Sequence, residues 1–155
     1  MRNSLDRLSS EDREFLMKAP ILVSILIAGA DGKIDRSEIQ EGMKQAKNNQ
    51  KTTSAELMEL YDEVGSDFED KLKIVLQGYP VKGQLRNKAI TEELVLLNDF
   101  WPKLDDDFSK AYYQSLRDLA LSVAQSSGGI LGMNTIGAEE AKYINLPMIK
   151  DPSAN

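Results

Sequence analysis

A chain of 155 residues, 41% hydrophobic and 28% charged, is sized for one domain with a buried core and is too apolar for a disordered segment. It has no cysteine and no histidine. That removes disulfides, thiolate and imidazole nucleophile chemistry and the usual zinc ligands, and leaves oxygen to hold any metal.

The formal charge of −6 argues against nucleic acid, whose phosphates call for a concentrated basic face. Lys82, Arg86 and Lys88 form the one small basic cluster, and without interleaved aromatic residues it reads as a solvated helix face. The N-terminus has no signal-peptide core. The longest apolar run, Ala19 to Ala30, is about half the roughly 20 residues a membrane span needs, so a cytoplasmic location without a membrane span is the expectation.

In chain order the pattern is helical. Ser9 or Ser10 caps a first helix with Glu11, Asp12 and Glu14 in its opening turn. Phe15, Ala19, Leu22, Leu26 and Ala30 recur at helical spacing beside Leu16, Val23 and Ile27, a face wide enough for a central helix touched from several sides. Pro20 either kinks this helix or opens a new one. Asp35 with Glu38 forms a capping box for a helix from Arg36 to about Asn48.

Thr53 with Glu56, and Ser66 with Glu69, repeat that box ahead of two further helices, the second stopped by Pro80. Leu85, Ile90, Leu94, Leu97 and Trp101 mark a long helix ended by Pro102, and Trp101 with Phe100 falls on its apolar stripe as core. Asp105 to Asp107 cap the next, with Phe108, Tyr112, Leu116, Leu119 and Val123 facing inward. A Gly-rich turn then leads to a short helix from about Ala138 to Leu146 and a frayed tail, Lys150 to Asn155.

These elements predict an all-α compact bundle of about seven helices, one domain over residues 1–149 with a tail at 150–155. The ends of the chain also match. LIAGADGKIDRSEI (Leu26 to Ile39) and LSVAQSSGGILGMNTIGAEEAKYI (Leu121 to Ile144) each run from apolar helix through a small-residue turn and an isoleucine into a glutamate-led helix. Two pseudo-twofold-related helix-loop-helix units follow, with Ile34 and Ile136 meeting in the core.

An apolar helix followed by A-D-G-x-I-D-x-x-E resembles the tellurite-resistance TerB family and its TerB-like relatives. The matching residues are Asp31, Gly32, Ile34, Asp35 and Glu38, with Ile136 and Glu140 in the second copy, which lacks the Asp-Gly pair. The resemblance implies an all-helical cytoplasmic domain, divalent-cation binding by the acidic loop residues, and a role in stress response or membrane-linked complexes.

The residues leave the cation question open. The loop is not an EF-hand: counted from Asp31, position 3 is Lys33, position 6 is Arg36 and position 12 is Gly42. Asp31, Asp35 and Glu38 can still converge on the turn, with Glu41 one helical step on and Glu140 as a further ligand. Calcium or magnesium suits such oxygen donors, manganese less so. Equally, Asp-Gly is a common turn pair and Asp35 with Glu38 a plain capping box.

The acidic run Glu59, Asp62, Glu63, Asp67, Glu69 and Asp70 reads as a solvated face, and Met133 with Met148 as an adaptable contact surface. Three functions stay in view: a non-catalytic TerB-like module that binds a protein partner and is tuned by a divalent cation; a metal-free scaffolding domain; and a carboxylate-based metal-dependent hydrolase.

Overall fold

The computed structural model describes residues 4–30, 34–48, 54–127 and 141–153. Its helices are α1 (Ser10–Ala28), α2 (Arg36–Asn48), α3 (Ala55–Gly65), α4 (Phe68–Gln77), α5 (Gly83–Leu94) and α6 (Asp106–Ser127), with short 3-10 turns at Ser4–Arg7, Val95–Asp99 and Trp101–Lys103. Among the described residues there is no strand, and no helix is long and apolar enough to cross a membrane. The all-helical bundle read from the sequence is therefore present, with six α-helices among the described residues against the seven or so expected.

Helix α1 is the axis of the bundle. Ser9 precedes it in extended backbone, and its hydroxyl accepts from the Asp12 amide at 3.1 Å, satisfying one of the amides a first turn leaves unpaired. From Ala19 to Ala28 every residue is buried, because α2, α3, α4, α5 and α6 all pack around it. Burying each of its leucines and isoleucines stabilises the fold by roughly 1.5–3 kcal/mol relative to exposure.

The helix runs through Pro20 without a break. Proline has no amide hydrogen, so the Leu16 carbonyl loses its partner one turn back. That carbonyl instead accepts a 2.7 Å hydrogen bond from the Tyr112 hydroxyl, which α6 delivers into the buried interior. A side chain 96 positions away thus supplies the donor that the ring removes.

Helix α2 keeps the limits expected for it and buries Ile39, Gly42, Met43 and Ala46, one stripe at helical spacing. Its contact with α6 is close: a Cβ placed on Gly42 would lie 2.7 Å from the Val123 Cα. Only a residue without a side chain fits there.

Several sequence expectations need correction. Thr53 lies outside the described residues, and Ser54 caps α3, its hydroxyl accepting from the Leu57 amide at 3.2 Å. Ser66 is the C-terminal cap of α3, and α4 starts from Asp67 in left-handed backbone (φ 51°, ψ 39°) with no side-chain cap bond. The Ser66–Glu69 box fails because α3 and α4 abut, and one left-handed residue makes the turn; aspartate tolerates that conformation better than most.

The long helix expected to end at Pro102 stops at Leu94, and Pro102 lies inside the Trp101–Lys103 turn. Tightening to 3-10 geometry swings Leu97, Phe100 and Leu104 into the core, whereas Leu85, assigned to the apolar stripe, is 53% exposed. Trp101 is half-buried and edge-on to Tyr112 and Tyr113, a packing role as expected.

Helix α6 buries Phe108, Tyr112, Leu116, Leu119 and Val123 as the pattern requires. Residues 138–140 lie outside the described residues; beyond Ala141 the chain forms turns, with Leu146 buried at φ 49°, so no helix continues to Leu146. The tail is pinned at its start. Lys150 donates its amide to Asn98 Oδ1 at 2.7 Å and accepts at 2.9 Å from the Trp101 indole, and Ile149 is buried. Met148 packs against the core, while Met133, Ile136 and the second copy's turn lie outside the described residues.

Candidate functional site

The acidic loop joins the buried end of α1 to the start of α2. Asp35 is exposed, and its Oδ1 accepts from the Ser37 amide (2.9 Å), the Ser37 hydroxyl (2.6 Å) and the Glu38 amide (3.4 Å). The Ser37 hydroxyl above all, then the two amides, holds the Asp35 carboxyl below the usual carboxylate range. This is helix capping by an ionised aspartate, the role its place before the apolar stripe of α2 dictates.

Of the other proposed ligands, Glu38 is half-buried on the first turn of α2. Glu41 is exposed, with Oε1 accepting from Gln45 at 3.3 Å. Asp31 and Glu140 lie outside the described residues. Among the described residues no three acidic side chains come together as a metal-holding group.

Sequence reasoning missed the main charge at this end of the molecule. Lys82 and Lys88 are exposed as expected, but Arg86 is only 5% exposed, which corrects its assignment to a solvated face. Its guanidinium donates to the Gly29 carbonyl at 3.1 Å and the Val81 carbonyl at 3.2 Å, and the Asn87 amide nitrogen lies 3.5 Å from the carbonyls of Gly29 and Ala30. These groups satisfy the carbonyls that the C-terminus of α1 leaves unpaired.

Gly29 makes the approach possible, since a Cβ there would stand 2.6 Å from Arg86 Nη2. The signal was present in the sequence: Arg86, Ile90 and Leu94 share one helical stripe. A permanent positive charge therefore stands where the loop begins, in addition to Lys33 and Arg36 within it.

A second feature was invisible to sequence patterning. Helix α4 stands with an open trough on each flank. The one between α1, α3 and α4 encloses about 270 Å³ over a floor of Met17, Ile21, Val64 and Val75, with Ile74 on its lip. It opens toward the start of α1 into a hollow of about 400 Å³ beside Arg13, Glu14, Glu59 and Glu63.

The other trough separates α4 from α5 and is crossed by Lys18, whose ammonium lies 3.2 Å from Glu93 Oε1 and 5.2 Å from the centre of the Tyr79 ring. Ile74, common to both flanks, is 68% exposed. The acidic run from Glu59 to Asp70 is solvated as expected: all six of its acids are exposed.

Compared with family models, curated proteins and solved structures, the chain matches none.

Proposed function

We propose that this chain is a non-catalytic helical interaction module of the TerB-like, stress-response kind, which works by binding a protein partner. The observation that carries the reading is the open trough between α1, α3 and α4, with an aliphatic floor and charge confined to its rim. A surface of that composition favours another protein's apolar side chains over a small polar substrate. The resemblance at Asp31, Gly32, Ile34, Asp35 and Glu38 supports the family part of the reading.

The test is quantitative capture on the immobilised chain. A protein retained stoichiometrically by the wild type and released by Ile74→Glu supports the module; no difference between the two baits at any salt concentration refutes it.

Within this reading, a divalent cation at the acidic loop tunes the module, held by Asp31 and Asp35 with Glu38, Glu41 and Glu140 as further donors. Three hydrogen bonds already engage one Asp35 oxygen and leave the cation the other. The competing reading is a metal-free scaffold, favoured by the Asp35 cap and the Arg86 charge at the head of the loop.

A thermal melt in chelator and then in millimolar calcium, magnesium or manganese separates the two. An ion at about 100 times its dissociation constant stabilises the fold by roughly 2.7 kcal/mol. Tuning requires a rise that Asp31→Asn/Asp35→Asn abolishes, and equal melts in chelator and in every ion leave the scaffold.

A further inference from the structure

We infer that the trough between α1, α3 and α4 receives an amphipathic helix from the partner protein, aliphatic on its inner face and carrying lysine or arginine at the end lying toward the start of α1. The inference rests on the interaction-module reading and assigns it a site, a partner chemistry and an orientation.

The floor determines the first property. Met17, Ile21, Val64 and Val75 are aliphatic or thioether side chains contributed by three helices, and α4 spans about 15 Å at 1.5 Å per residue. That length accommodates the i, i+3, i+4 and i+7 anchors of a docked helix. Ile74, 68% exposed on the lip, is the side chain such a helix would cover.

The rim determines the second. Of the trough's two lysines, Lys18 is offset by Glu93 and lies over the face of Tyr79, while Lys71 donates to the Glu63 backbone carbonyl, keeps its charge and does not line the mouth. At the mouth, three carboxylates, Glu14, Glu59 and Glu63, face one guanidinium, Arg13, and none of the three accepts an ion pair among the described residues. The surplus is negative at one end only. A partner helix with a basic terminus is complementary in one direction, and an acidic one is repelled there.

The experiment uses the full chain and a fluorescein-labelled leucine–lysine amphipathic helix of about 18 residues, followed by anisotropy against its leucine–glutamate counterpart. Ile74→Glu should weaken binding of the lysine peptide by about tenfold or more, as loss of a central anchor does. Glu14→Gln/Glu59→Gln/Glu63→Gln should weaken it and flatten its salt dependence, and Leu121→Glu, an exposed site on α6, should leave it unchanged. Far-UV circular dichroism establishes that each variant is folded, and the glutamine variant decides the matter if Ile74→Glu is not.

Equal binding by wild type and both trough variants would overturn the proposal as attraction to an acidic surface in general. So would comparable binding of the glutamate peptide. Self-association of the wild type in sedimentation, abolished by Ile74→Glu, would overturn it in favour of a second copy of this chain. Failure here with a captured partner still retained leaves the module standing and moves its site elsewhere; failure of both removes the module as well.

Discussion

Replacing Tyr112 by phenylalanine removes one oxygen from the interior and leaves every apolar contact in place. The Leu16 carbonyl then has no donor, since Pro20 offers none and both Leu16 and Tyr112 are 0% exposed to water. A buried acceptor left without a partner destabilises a fold by about 1–3 kcal/mol. In a domain of this size each kcal/mol lowers the melting temperature by roughly 2–4 °C.

Urea unfolding of Tyr112→Phe should therefore show a lower midpoint with an unchanged slope. The decisive comparison repeats the substitution in a Pro20→Ala background, where the new amide restores the i to i−4 bond to Leu16. Tyr112→Phe should then be less harmful by about 1 kcal/mol, a coupling well beyond the ~0.3–0.5 kcal/mol scatter of independent sites. Equal losses in both backgrounds would refute the idea that this phenol answers for the proline.

Other outcomes follow from the same packing. Gly42→Ala drives a Cβ into Val123 and should destabilise by about 1–3 kcal/mol in urea melts, with only partial relief from Val123→Ala, which removes the Cγ2 clash but leaves the one with the Val123 Cα. Arg86→Met removes the donor to the Val81 carbonyl and leaves Gly29 only the long 3.5 Å contact from Asn87, and should lose about 1–3 kcal/mol; Arg86→Lys should recover only part of it, because an ammonium cannot span both acceptors as the planar fork does.

Burial pushes the phenols of Tyr61 and Tyr112 above the ordinary tyrosine value. The native state therefore holds those protons more tightly than the unfolded chain, so this contribution to stability is complete below about pH 10 and is lost as pH rises beyond it. Phenolate absorbance from these two residues should appear together with the loss of helical circular dichroism; their ionisation in a still-folded protein would contradict the assignment.

What the sequence disclosed depended on whether the cause was local. The Asp35 cap and the stripe Ile39, Met43, Ala46 lie within one helix, and α2 begins and ends where they place it. The wide face of α1 was legible for the same reason. Arg86 was misread because its burial is decided by Gly29, 57 positions away, whose missing side chain opens the space. Pro20 was ambiguous because the donor that replaces its missing amide at the Leu16 carbonyl is the Tyr112 hydroxyl, which comes from α6.

The end of α5 was missed because 3-10 tightening preserves an apolar rhythm while changing the screw that carries it. Of the candidate loop, the capping function of Asp35 was readable from spacing, whereas for the charge at its head the stripe Arg86, Ile90, Leu94 signalled burial but not the carbonyls it meets. The troughs beside α4 have no linear signature, being made of single residues from several helices.

The all-round enclosure of α1 also matters when the protein is unfolded. Ile21 to Ala28, ILVSILIA, carries no charge and is rich in β-branched residues, the composition of segments that stack as cross-β assemblies when exposed. Pro20 and Lys18 stand immediately before it as interruptions to such stacking. Within the native bundle five helices shield the segment. Any substitution that raises the unfolded population presents it to other chains, so weakened variants should aggregate sooner on heating in plain buffer, whereas urea solvates the exposed segment and keeps unfolding reversible. The residues that cap and enclose α1 thus keep this segment from other chains as much as they shape the bundle.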